Sequence, residues 1–318
     1  MNKILTYLSL PILVGLAAIG IRNLVTDEQP APAETPALQA WVEQHRNDFL
    51  QDGSIHFGIV SDIEGHLAGA EIAVEYLRRE ESASGNALDA IIVAGDVYEN
   101  EAIRRNPLYP HSTDNIQEMV VGLQPFAELG VPVFIIRGNH EEERVYQEGL
   151  RQLQQMNPEI FDISDATLDF AGMNIVGRGG YHDARFLAEA GRLLIEEDYA
   201  SARRELERLQ EQNEPIFFVT HGPPRATTVI DYVPGFGHVG DQNLTRILND
   251  STLRNIVHLH GHIHEGGGNE EQFPAGTSMN VASITQYQNP NGPRVFRCSG
   301  EPERESVVRC RQVMARYD

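Results

Sequence analysis

The stretch Ile55-His56-Phe57-Gly58-Ile59-Val60-Ser61-Asp62-Ile63-Glu64-Gly65-His66 carries the pattern on which the fold turns. A short apolar run rich in β-branched residues ends in carboxylates and a glycine, and a helical pattern follows over residues 67–79. The same order recurs twice. Residues 90–94 run into Gly95-Asp96, and residues 133–136 run towards Gly138-Asn139-His140-Glu141, with helices predicted over 115–129 and 141–155. Strand, loop and helix alternating in this way imply a largely parallel sheet with helices outside. In such a sheet the loops after the strands converge on one crevice, where ligands bind.

The second half changes character. Residues 167–170 and 173–176 flank Ala171-Gly172 and read as a hairpin, and a long charged helix is expected over 188–212. Residues 216–220 and 256–259 are short buried strands running into His221-Gly222 and Gly261-His262-Ile263-His264, and further strands are expected at 279–284 and 294–298. An α/β arrangement of two sheets packed face to face, with helices on the outside, accommodates this mixture.

The bulk properties fit one globular domain. The 318 residues are 41% hydrophobic and 22% charged, but the net charge of −21 is far from neutral. Such a surface repels polyanions and argues against extended nucleic-acid contact, while a small phosphorylated substrate can still approach a cationic centre. Lys3 precedes an apolar run from residue 4 to 21, so residues 1–25 read as a signal peptide or N-terminal membrane anchor. Residues 26–40 read as a flexible Pro/Ala-rich tether, and 41–318 as the main domain. The expectation is export, with the domain periplasmic or extracytoplasmic, or anchored to the outer side of the cytoplasmic membrane. Nothing in the sequence points to a protein partner. Cys298 and Cys310, the only two cysteines, can form a disulfide between two strands if the domain is exported; two unpaired thiols are the alternative.

Carboxylate, amide oxygen and imidazole are donors that divalent transition metals accept. Each motif also has a plainer reading. Asp62 can cap the helix that follows, Asp96 can be a turn residue, and Asn139 can cap a helix with Glu142 three positions on. His262 and His264 are two residues apart, so in extended chain both would face one side. His258 and His260 lie inside the preceding strand and read as core histidines or as partners that orient a ligand. Arg137 and Arg178, each beside a glycine-containing loop, are candidate phosphate contacts or simple ion-pair residues. His182 and Tyr98 are candidates for the pocket wall.

Taken in order, Asp62-Ile63-Glu64, Gly95-Asp96, Gly138-Asn139-His140-Glu141, His221-Gly222 and Gly261-His262-Ile263-His264 resemble the motif series of the calcineurin-like metallophosphoesterases. His221-Gly222-Pro223-Pro224, with Gly237-His238-Val239-Gly240 downstream, is similar to the predicted small-phosphoesterase branch. The resemblance covers most of the chain after about residue 54. It implies a metallophosphoesterase-type four-layer α/β/β/α sandwich and a dinuclear-metal-dependent hydrolase of phosphate monoesters or diesters. By position, one ion is held by Asp62, residue 64, Asp96 and His264, the other by Asp96, Asn139, His221 and His262. Hydroxide produced between the two cations attacks phosphorus, and His140 protonates the leaving oxygen. One position departs from the pattern: Glu64 stands where the family has histidine. Glu64 can ligate through oxygen, His66 can swing in instead, or the position can be empty. Among manganese, iron and zinc, an added carboxylate favours manganese. The competing reading is a metal-stabilised, non-catalytic binding or scaffold protein of the same fold.

Overall fold

The computed structural model describes residues 35–49, 53–99, 115–211, 214–285, 292–301 and 308–313. Helix α1 (Thr35–Phe49) leads into β1 (Ile55–Val60), α2 (Leu67–Ser84), β2 (Ala90–Val93), α3 (Asn115–Ala127), β3 (Val133–Ile135), α4 (Glu143–Met156) and β4 (Ile160–Asp162). The second half runs β5 (Thr167–Phe170), β6 (Met173–Arg178), α5 (Glu196–Gln210), β7 (Ile216–Thr220), β8 (Tyr232–Val233), β9 (Gly237–His238), α6 (Gln242–Leu248) and β10 (Ile256–His260). It closes with β11 (Glu270–Phe273), β12 (Gly276–Asn280), β13 (Val295–Gly300) and β14 (Arg309–Val313).

Two six-stranded sheets form, in the orders β14-β13-β1-β2-β3-β4 and β11-β12-β10-β7-β6-β5. Strands β1 to β4 pair in parallel, as do β6, β7, β10 and β12; β13, β14, β5 and β11 pair antiparallel at the edges. Alternation along each strand sorts the apolar side chains into layers. Phe57 and Ile59 of β1 join Phe134, Phe170, Phe217 and Leu259 between the sheets. Val60, Ile91 and Val93 face α2, α3 and α4 through Leu77, Leu123 and Leu150. The outer face of the second sheet buries Val176, Phe218 and Ile256 under Leu206 of α5 and Leu244 of α6. The result is the expected helix–sheet–sheet–helix sandwich. Gly58 is required by it: a Cβ there would lie 2.6 Å from Ile91 Cδ1, beneath Leu77 of α2.

Local sequence explains the element ends. The Nδ1 of His66 accepts the Gly69 N–H at 2.9 Å and caps α2, and Gly85 ends that helix at φ 75°. Tyr146, Gly149, Leu150 and Leu153 are the buried stripe of α4, at the spacing of one helix face. The charged helix begins at Glu196, not 188. The tether expectation is corrected at its end: residues 35–40 already belong to α1, where Leu38 is buried and the Gln39 amide donates to Asp169 O. Trp41, Leu38 and Val42 give this segment an apolar face to bury, which outweighs its proline- and alanine-rich start. The signal or anchor at 1–25 and the tether at 26–34 lie outside the described residues, as do residues 100–114. No helix among the described residues is long and apolar enough to cross a membrane.

Cys298 and Cys310 face each other across β13 and β14 and form a disulfide. It closes a loop of 12 residues, and loop entropy puts its contribution at about 2–3 kcal/mol. Cys298→Ser with Cys310→Ser should therefore lower the melting temperature by about 5 °C or more. An unchanged calorimetric transition would show that this edge is already held by its ladder.

Candidate metal centre

The loops after β1, β2, β3, β7 and β10 meet at one end of the two sheets, and backbone hydrogen bonds lace them together. Asp62 N–H donates to Gly95 O and Glu64 N–H to Asp96 O, both at 3.0 Å, and Gly261 N–H reaches His221 O at 3.0 Å. Glycines permit the close approach. A Cβ at Gly138 would lie 2.1 Å from Asp96 Oδ1, and one at Gly261 would lie 2.3 Å from Asp62 Oδ2. Asp62, Glu64, Asp96 and His262 all have positive φ (53°, 49°, 51° and 70°). Left-handed backbone costs a non-glycine residue about 1–3 kcal/mol, and such strain concentrates at functional sites.

Two donor sets result. Asp62, Glu64 and His264 place one donor atom each within 4.8 Å of one another, and so do Asp96, His221 and His262. His264 Nε2 is 3.1 Å from Asp62 Oδ1 and 3.2 Å from Glu64 Oε1. In the second set His221 Nε2 is 3.1 Å from Asp96 Oδ2, and Asn139 Oδ1 lies 2.9 Å from His221 Nε2 and 2.7 Å from His262 Nδ1. Asp96 links the sets, because it also groups with Glu64 and His140. His221 Nδ1 lies 2.9 Å from Ala94 O, which fixes that nitrogen as the donor and turns Nε2 towards Asp96.

Charge in the site is unbalanced. Asp62, Glu64 and Asp96 are all buried, and among the described residues no arginine or lysine pairs with them. Burial by itself would raise the Asp96 carboxyl, but His140, His221 and His262 outweigh it and hold it far below the usual range. Asp62 is likewise lowered, burial being overcome by His264 and then His221. Burial opposes charge on His221, yet Asp96 and Asp62 bring it up to about 9; Glu64 and Asp62 raise His264 against its burial in the same way. Burial and the neighbouring His221 push His262 well below its ordinary value, so it is the neutral imidazole that a metal ligand must be. Three buried carboxylates with imidazoles and an amide oxygen fit a pair of divalent cations, whose charge would offset that of the carboxylates.

Asp62, Glu64, Asp96, Asn139, His221, His262 and His264 thus come together, with His140 at their edge, its Nε2 3.7 Å from Asp96 Oδ2. Several plainer readings give way. The residue before α4 is Glu142, with no side-chain cap, while Asn139 spends its amide N–H on Phe186 O and its oxygen on the two histidines. His262 and His264 do not face one side. The positive φ at His262 breaks the extended chain and sends the two rings to different donor sets. His258 is a satisfied core residue, between Ser278 Oγ at 2.8 Å and Thr220 Oγ1 at 2.9 Å. Arg137 pairs with Glu143 over the Tyr146 ring, and Arg178 donates to Gly177 O and Ser201 Oγ; neither contact involves either donor set. The Tyr98 hydroxyl accepts the Glu142 N–H at 2.7 Å, and His182 stacks beside Tyr181, 4.5 Å between centroids.

At position 64 the geometry groups Glu64, and not His66, with the other donors. Glu64 is the residue beside His264, whereas His66 commits its Nδ1 to the helix cap. Glu64→Ala should weaken binding of one ion by more than the about 10–100-fold typical of losing an outer partner. His66→Ala should leave both affinities intact and cost about 1 kcal/mol of stability, as other side-chain caps do. Calorimetric titration of manganese into both variants decides: the reverse pattern would put His66 in the site.

Glu141 is a functional residue that the motif reading quoted without a role. Its fully buried carboxylate accepts the N–H groups of Asp96 at 3.2 Å, Val97 at 2.8 Å and Gly138, clamping two donor loops together. Burial and then Asp96 raise its pKa to about 7.

Comparison with known proteins agrees with this fold. The fold superposes on TT1561 of Thermus thermophilus with a TM-score of 0.52 at 14% identity, over 81% of this chain and 99% of that one. It is also similar to a dimetal phosphatase from Danio rerio, with a TM-score of 0.55 at 11% identity over 80% and 98% of the two chains. At these identities the likeness is one of fold. Comparison with curated protein sequences gives no match. The calcineurin-like phosphoesterase family model matches residues 55–266, more than half of the chain and every one of the five motifs. The chain belongs to the calcineurin-like phosphoesterases, a family of metal-dependent hydrolases.

Proposed function

We propose that this protein hydrolyses small phosphate monoesters or diesters with two divalent ions, manganese first among them. The observation that carries the reading is Asp96, whose carboxylate belongs both to the group with His221 and His262 and to the group with Glu64. A pair of ions, when bound, supplies the charge that acidifies water near neutral pH and offsets the charge of phosphoryl oxygens. Asp62, Glu64 and His264 would hold one ion and Asn139, His221 and His262 the other, with Asp96 between them. His140, beside Asp96 and 13% exposed in its side chain, would pass a proton to the departing oxygen. Four oxygen donors against three imidazoles favour manganese over zinc.

Export remains part of the proposal, supported by the apolar run at residues 4–21 and by the disulfide, which persists in oxidising compartments. The charge of −21 favours a small substrate over a nucleic acid. The test is metal analysis of the purified domain, with rates on p-nitrophenyl phosphate and bis(p-nitrophenyl) phosphate in manganese. Two ions per chain and turnover of either ester are expected. Full loading without turnover of either would favour the scaffold reading.

A further inference from the structure

Tyr181 follows Gly179-Gly180 at the end of β6. Its side chain is 1% exposed, and its hydroxyl has no hydrogen-bond partner among the described residues. The other deeply buried tyrosines are satisfied. Tyr98 accepts from Glu142 N–H, Tyr146 reaches Asp162 Oδ1 at 3.3 Å, and Tyr199 bonds the Asp241 carboxylate. A buried hydroxyl without a partner costs free energy that a phenylalanine of the same shape would not.

The Tyr181 ring lies 4.3 Å from the His262 ring and 6.3 Å from that of His221, centroid to centroid. A Cβ on Gly222 would come within 2.8 Å of Tyr181 Cε2, next to the carbon that bears the hydroxyl. The phenol end is therefore wedged against the turn that carries His221. The backbone around it is held on both sides, by Tyr181 N–H to Arg192 O at 3.0 Å and Leu194 N–H to Tyr181 O at 2.9 Å, so the ring is fixed without any bond at its tip. A phenol carries its proton near neutral pH and so can serve as a donor.

We propose that the Tyr181 hydroxyl donates a hydrogen bond to a phosphoryl oxygen of the substrate on the Asn139–His221–His262 side, as a further catalytic residue. The proposal rests on the phosphoesterase reading above. It gives the unpaired hydroxyl a partner only when substrate is present, which is where a donor lowers a barrier instead of merely stabilising the resting protein.

The test is Tyr181→Phe in the full chain, with three measurements. Melting of the metal-free protein should be unchanged or raised, because an unsatisfied group is removed. With manganese, the ion content should stay the same while kcat on p-nitrophenyl phosphate falls by about 10²-fold. Calorimetry with inorganic phosphate on the manganese-loaded protein should show weaker binding by the variant. A variant with wild-type kcat and phosphate affinity overturns the proposal, and so does a lowered melting temperature, which would reveal an internal partner. If the wild-type protein hydrolyses no ester, the functional reading fails by itself. The phosphate titration then still decides the role of Tyr181: equal affinities, or no phosphate binding by either protein, refute it.

Discussion

Asp96→Asn should abolish turnover while leaving a folded protein. The carboxylate is shared between the donor groups of Glu64 and of His221 with His262, so its charge acts on both sides of the centre. Losing it would remove the carboxylate that the two proposed ions would share, and the several kcal/mol that such a pair of ions contributes would go with it. That is a fall in kcat of about 10³-fold or more. The fold has reason to survive. Asp96 Oδ1 accepts the N–H groups of Asn139 at 2.9 Å and His140 at 3.1 Å, and an asparagine carbonyl oxygen can take both. Metal content should fall from two ions per chain to one or fewer, and circular dichroism should be unchanged. A variant that kept two ions and wild-type kcat would contradict the sharing of Asp96.

His140→Ala should lower kcat by about 10²–10⁴-fold, the range for loss of a general acid, with KM little changed. The side chain stands close to Asp96 and Glu64, within the reach of a metal ligand as well. Two readouts separate the roles. A proton donor matters most when the leaving group is a poor one, so the variant should lose more on alkyl phosphates than on p-nitrophenyl phosphate. It should also retain two ions. Loss of one ion, with an equal penalty on both esters, would make His140 a ligand and not a proton donor. Burial lowers its affinity for a proton, but Asp96, Glu64 and Glu141 together raise it, so in the metal-free protein the imidazole is held in the protonated form more than usual.

Much of this was legible along the chain because the fold writes its site at strand ends. Strands at Ile55–Val60 and Ile216–Thr220 are mostly apolar and buried along their whole length, since both faces of each are covered. Within a few residues of where each run stops lie polar residues that reach the crevice, and so Asp62, Asp96, Asn139, His221, His262 and His264 could all be nominated. Local rules failed where long-range contacts set the backbone. Spacing alone put His262 and His264 on one side of an extended strand, but His262 N–H bonds the Asp62 carboxylate, 200 residues away in sequence, at 2.9 Å. Capping preferences offered Asn139 a helix, and two histidines from distant loops took its oxygen instead.

The sequence by itself determined the layered α/β class, the order of the strands that end in donors, and the chemistry those donors can do. These depend on residue type and on periods of two or 3.6, which are local properties. Only the tertiary structure grouped Glu64 and not His66 with the donors, divided the histidines between two donor sets, engaged Arg137 and Arg178 with other partners, and left the Tyr181 hydroxyl without a partner among the described residues. Each of these is a matter of direction and distance between loops far apart in the chain. Such relations are fixed by how two sheets pack their inner faces together, and no stretch of neighbouring residues contains them.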